Sequence, residues 1–168
     1  MTNWKKVYIA SRDDIRAHAA SGLFVTAVYV MIGILGLFLL SSNQPFEAPL
    51  GVLFVAIGVI GGGYLGTQAY REYFGDPLVL TLRVLRKQDA MSYTRTGTLH
   101  RFFIQAEISK AVNLAADGKL TPTQRARWDA VAVSESLYKA LTEGETVALV
   151  CTPTGRAFAT VEDMAQRG

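Results

Sequence analysis

The sequence predicts an α+β membrane protein, a two-helix transmembrane hairpin followed by a small, mainly antiparallel β-domain (a partly open barrel or sheet) with one or two short helices. Three observations predict it. Between Arg16 and Arg71 the chain carries one formal charge, Glu47, and within that stretch lie two long apolar runs, Gly22–Leu40 and Leu50–Tyr70. Each is close to the ~20 residues that an α-helix needs to cross a bilayer core. The loop joining them, Ser41–Pro49 (SSNQPFEAP), is too short to re-enter, and backbone groups in lipid must bond within their own segment, so a hairpin of two helices is expected. From Leu78 the hydrophobic period changes to two, which marks strands.

Three parts follow along the chain. Residues 1–21 form a cytoplasmic, amphiphilic lead-in. Ser11 suits the cap of a helix beginning near Arg12, with Asp13 and Asp14 in its first turn, and Trp4 and Tyr8 suit the headgroup level. Residues 22–70 are the hairpin (helices 22–40 and 50–70), which Gly75, Asp76 and Pro77 terminate. Residues 77–168 are a cytoplasmic β-rich domain. In LVLTLRVLR, Leu80, Leu82 and Val84 share one face; Thr94–Thr98 reads as a tight turn and Arg101–Ile108 as the returning strand. Trp128–Val133 alternates again, and Ser134–Leu141 has a capping Ser, helix formers and a Gly144 stop. Thr146–Cys151 and Ala157–Glu162 read as strands flanking a Thr152–Gly155 turn. Val112–Arg127 has no clear period.

Charge sets the topology. Lys5, Lys6, Arg12 and Arg16 precede the first helix, Arg71 follows the second, and the intervening loop holds neither Lys nor Arg. The positive-inside bias then puts both termini in the cytoplasm, the bacterial inner membrane being the expected location. Those five basic residues are the expected membrane-surface set, each worth ~1 kcal/mol against anionic lipid. A net charge of +3, with no dense basic patch interleaved with aromatics, predicts no nucleic-acid partner. The lone Cys151 excludes an intrachain disulfide and reads as a small buried hydrophobe.

The ending GETVALVCTPTGRAFATVE, through Gly144, Val147, Val150, Pro153 and Ala159, resembles a pattern in uncharacterised bacterial membrane proteins that combine transmembrane helices with a small C-terminal β-domain. The resemblance implies fold and carries no activity.

Gly61–Gly66 (GGGYLG) satisfies G-x-G-x-x-G, and with the following LVLTLRVL it resembles the first βαβ turn of flavin-linked pyridine-nucleotide reductases. That resemblance implies a nucleotide-binding redox component, with Arg86 and Lys87 near a 2′-phosphate. The apolar run starts too early for a strand, however, and no acidic ribose ligand follows. A better account of the glycines is packing. Gly58, Gly62 and Gly66 recur every four residues and give the second helix a small-residue face. Its occupant is either the chain's own first helix, through Gly33 and Gly36, or another membrane protein or second copy. On this reading Gly62→Leu is the most disruptive substitution, and Gly51 lies off the face.

Asn113–Gln124 mimics a calcium loop but offers one carboxylate, Asp117; an Asp-Gly turn and a Thr121-Pro122 helix start are expected instead. With histidines only at His18 and His100, and no catalytic or metal-ligand spacing, no enzyme activity, cofactor or metal is expected. Thr26, Thr67 and Gln68 read as packing groups. The expected function is a non-catalytic accessory or assembly subunit of a larger membrane complex, docked by the glycine face and bound to membrane lipids. An oligomeric channel or transporter protomer is the remaining alternative.

Overall fold

The computed structural model describes residues 2–42, 47–94 and 97–167, the side chains of 92–94 and 97–99 excepted. The centre of the expected Thr94–Thr98 turn and residues 43–46 of the Ser41–Pro49 loop lie outside that range. The architecture is α+β: two long apolar helices, then a mixed β-sheet with short helices. The chain divides into two compact units, Ile15–Gly75 and a second made of Met1–Asp14 with Asp76–Gly168.

Helix α1 (Trp4–Leu40) is uninterrupted over 37 residues. It starts earlier than the sequence suggests because Asn3 caps it, Asn3 Oδ1 accepting from Lys6 N–H at 3.3 Å. Ser11 is therefore inside the helix and caps nothing; its buried hydroxyl donates to the Val7 carbonyl at 2.6 Å. Helix α2 (Glu47–Phe74) begins three residues before the expected Leu50, since Pro49 falls in the first turn, where its missing N–H costs nothing. Both helices are long and apolar enough to cross a membrane by length and composition. Their apolar side chains face outward: Phe24, Met31, Phe38, Val59 and Ile60 are all exposed.

In the other unit, strands β1 (Leu78–Thr94) and β2 (Gly97–Leu114) form a long antiparallel ribbon. Ser109 and Leu85 are its extra, unpaired residues, each marking a register shift. Strands β3 (Leu120–Pro122) and β4 (Trp128–Val133) add to β2, while β5 (Thr146–Cys151) adds to β1, and β6 (Ala157–Thr160) pairs with both β5 and β4. The ring β1-β2-β4-β6-β5 closes through one parallel pair, Val133↔Ala157, so the barrel is partly open. Its interior is filled by Leu80, Leu82, Val84, Ile104, Val131 and Leu149, and helix α3 (Glu135–Ala140) plugs one end with Leu137. Ser134 caps α3, accepting from Leu137 N–H at 3.3 Å.

A second cluster covers part of the barrel's outer surface. Val79, Val112, Leu114 and Val150 pack there against Val7 of α1 and against Val161 and Met164 of helix α4 (Val161–Arg167). Trp4 and Tyr8 pack against the same cluster, so they belong to this unit's core and are not the expected headgroup anchors. Two further expectations change. Val161 and Glu162 are helical because Thr160 Oγ1 accepts from Asp163 N–H at 3.1 Å and starts α4. Thr121-Pro122 lies in β3, where edge position tolerates the proline, and starts no helix.

Candidate functional site

The glycines of the helical unit form a seam between α1 and α2. A Cβ placed on Gly58 would lie 2.5 Å from Gly33 Cα and 2.9 Å from the Tyr29 carbonyl oxygen. One on Gly36 would lie 2.6 Å from Val55 N, and one on Gly51 2.9 Å from the Gly36 carbonyl oxygen. Gly66 meets Thr26 Cγ2 at 3.1 Å, whereas Gly62 has nothing closer than Tyr29 Cβ at 3.6 Å and Gly63 faces open space. On α1 the seam runs Gly22, Thr26, Tyr29, Gly33, Gly36, alternating steps of four and three, the 3.5-residue period of left-handed helix pairing.

Of the two expected occupants of the glycine face, the chain's own first helix is the one observed, and two expectations of position change. The Gly58 face is occupied by the chain's own first helix, so it is not a free docking surface. Gly51 lies in the tight part of the seam, because its spacing of seven from Gly58 matches the 3.5 period, where steps of four drift off it. Gly62, expected to be the tightest position, is in ordinary contact. Beside the seam lies an apolar groove of about 450 Å³, lined by Val30, Ile34, Leu37, Val59 and Gly63.

The G-x-G-x-x-G segment sits within α2, so Gly61–Gly66 make no strand-to-helix turn and their N–H groups serve the helix. Gly61 packs on the Tyr29 ring. Lys87 is engaged elsewhere, Nζ donating to the Leu141 carbonyl at 2.9 Å and lying 4.6 Å from the Tyr138 ring centre. The expected packing groups are bonded within their own helices: Thr26 Oγ1 donates to Gly22 O at 2.8 Å, Thr67 Oγ1 to Tyr64 O at 2.9 Å, and Gln68 Nε2 to the Tyr64 hydroxyl at 3.2 Å.

The five basic residues separate. Arg16 and Arg71 are exposed in the helical unit, Arg16 lying 5.6 Å from the Tyr73 ring centre. Lys5 and Lys6 are exposed in the barrel unit, but Arg12 is 8% exposed, too buried to meet a headgroup. Asp117 turns the chain as expected, with Gly118 at φ +82°, and its carboxylate pairs with Lys119 at 2.8 Å, which holds its pKa below the usual value. His100 Nδ1 lies 3.3 Å from Asp89 Oδ2 and its ring stacks on Phe102. Among the described residues no three His, Cys, Asp or Glu gather as a metal site. Cys151 is buried in the barrel, which pushes its thiol up to about 12.

One cluster was not legible residue by residue. Register aligns Arg83 with Glu107 and Trp128, then Arg86 with Gln105 and Ala130, across β1, β2 and β4. These residues lie on the part of the outer surface outside the cluster packed by α1 and α4. Trp128 is 56% exposed. The Arg127 guanidinium lies 5.5 Å from its ring centre and donates to Glu107 Oε1 at 2.8 and 3.1 Å. A shallow groove of about 360 Å³ is lined by Leu85, Gln105, Ala106, Trp128, Asp129 and Ala130. The alternation in WDAVAV foretells Trp128, Ala130 and Ala132 on one face; the arginines join only through pairing.

No protein-family model matches the chain, nor does any curated protein or solved structure.

Proposed function

We propose that this chain is a membrane-anchored, non-catalytic accessory or assembly subunit, with α1 and α2 crossing the membrane as a hairpin and the barrel in the cytoplasm. The observation that carries this reading is the outward apolar surface of both helices. Phe38 and Phe24 are 75% and 73% exposed on a helix whose run of 19 residues from Gly22 to Leu40 has no charged group. Such a surface needs lipid or another apolar protein around it. The seam glycines, already filled, bring the two helices together, and the faces turned outward are where a larger complex would be met. Arg16 and Arg71 supply the basic flank on the proposed inner side.

Two measurements test it. Cysteine labelling on a Cys151→Ala background should modify Ser42→Cys from outside and Thr154→Cys only after permeabilisation. Alanine suits the buried 151 position better than serine, whose hydroxyl would be desolvated there. The opposite labelling pattern would refute the orientation. Purification in mild detergent with mass spectrometry should return the chain with a defined partner, and a particle of this chain alone would count against the subunit role.

A further inference from the structure

We infer that the uncovered part of the barrel, centred on Trp128, holds an acidic, partly apolar segment of a cytoplasmic partner protein. This rests on the subunit reading above and names the surface that reading leaves open. The centre is apolar and shallow, with Leu85 41% exposed beside Trp128 over the small side chain of Ala130. Its surround carries Arg83 and Arg86, placed by strand register, and Arg127, which lies over the Trp128 ring; the nearby carboxylates are engaged, Glu107 by Arg127, Glu143 by the Lys87 N–H and Glu145 by the Thr142 N–H. Asp129 at the groove edge is paired with Arg125 at 3.4 Å. An exposed tryptophan inside an arginine rim is the composition of a binding hot spot, with an apolar anchor and charges that select an acidic partner.

Two more observations define the mode. Elsewhere on the same barrel, Val79, Val112 and Val150 hold α1 and α4 through apolar side chains, so this outer surface already serves as a platform for peptide within the chain. Strand addition at β4 is disfavoured, because the Asp129 carboxylate accepts from Ala130 N–H at 2.8 Å and occupies one of the edge donors. The partner is therefore held by side chains. Single-stranded nucleic acid fits less well, since successive bases need successive stacking platforms and Trp128 is one.

The test uses the full chain in nanodiscs of zwitterionic lipid, panned against a random dodecapeptide library. Selected peptides should be rich in Asp and Glu around an aromatic or aliphatic residue. Their Kd, read by fluorescence anisotropy, should rise about tenfold or more with Trp128→Ala and with Arg86→Glu. Exchanging Glu for Lys in the peptide should restore binding to Arg86→Glu. Lys139→Glu on α3 is the control and should change little, and melting curves should match for all variants. No enrichment, enrichment without acidic residues, or binding that survives both substitutions overturns the inference. So does tighter binding of an oligo(dT) of about 20 nucleotides with the same sensitivity. If a natural partner co-purifies and is retained by both variants, this face is wrong and the subunit role stands; a wild-type chain with no partner removes the role itself.

Discussion

Replacing Gly58 with alanine places a methyl carbon 2.5 Å from Gly33 Cα and 2.7 Å from Gly33 N, atoms that cannot rotate away. Carbon–carbon contact is comfortable at about 3.5–4.0 Å, so the helices must part by about 1 Å at this point. That opening also loosens Gly36 against Gly51 and Val55 in the same seam. Overpacking of this kind costs about 1–3 kcal/mol. Alanine also favours helix over glycine by up to ~1 kcal/mol, a gain shared by every glycine of α2. Gly63→Ala isolates that gain, since nothing lies within 4 Å of its added carbon. The shared gain cancels, so Gly58→Ala should be about 1–3 kcal/mol less stable than Gly63→Ala. Gly51→Ala should follow Gly58, and Gly62→Ala should follow Gly63. Reversible unfolding by SDS in mixed micelles measures each difference. Equal stabilities for Gly58→Ala and Gly63→Ala would refute the seam as the close contact of the hairpin.

Three further outcomes concern the barrel. Gly144→Ala and Gly155→Ala should each cost about 1–2 kcal/mol, because both residues have positive φ, +87° and +95°; a neutral Gly144→Ala in thermal melts would contradict this. Gly155→Ala should also displace the Arg125 guanidinium that lies over it, seen by NMR as a shifted Arg125 side-chain N–H resonance. Leu149→Ala, fully buried in the barrel interior, should cost about 2–5 kcal/mol by denaturant titration. Cys151 favours its neutral thiol in the fold, at about 12 against an ordinary 9.0, so the stability it contributes is complete below pH 9 and falls as pH rises towards 12. Iodoacetamide at pH 8 should leave the folded chain unmodified, and rapid alkylation without unfolding would contradict the burial.

The long apolar runs and the period-two strands were legible because each is a local pattern that burial or lipid enforces along consecutive residues. Trp128–Val133 and Thr146–Cys151 fall where alternation and turn residues place them. What local pattern does not contain is pairing. The seam cannot be indexed from α2 alone, since Tyr29 and Gly33 of α1 decide which glycines are tight. The stripe at four-residue spacing favours Gly62, whereas the observed 3.5 period selects Gly51 and Gly58. Likewise, Arg83 and Trp128 are 45 positions apart in sequence and become neighbours only through Glu107. The lead-in reads ambiguously because Trp4 and Tyr8 suit two environments equally, an interface and a protein core, and sequence does not say which comes first.

The compact unit that holds the barrel is discontinuous, taking Met1–Asp14 from one end of the chain and Asp76–Gly168 from the other. Val7 can reach Val112 and Met164 only if the chain leaves this unit and comes back to the same compartment. If α1 and α2 cross a membrane as proposed, the number of crossings between those two pieces is then even. The parity of the topology thus follows from core packing, independently of where the lysines and arginines fall. It also sets an order of assembly: the barrel's outer cluster cannot be completed by a C-terminal fragment, because its first buried residue is synthesised before the hairpin and its last, Met164, long after.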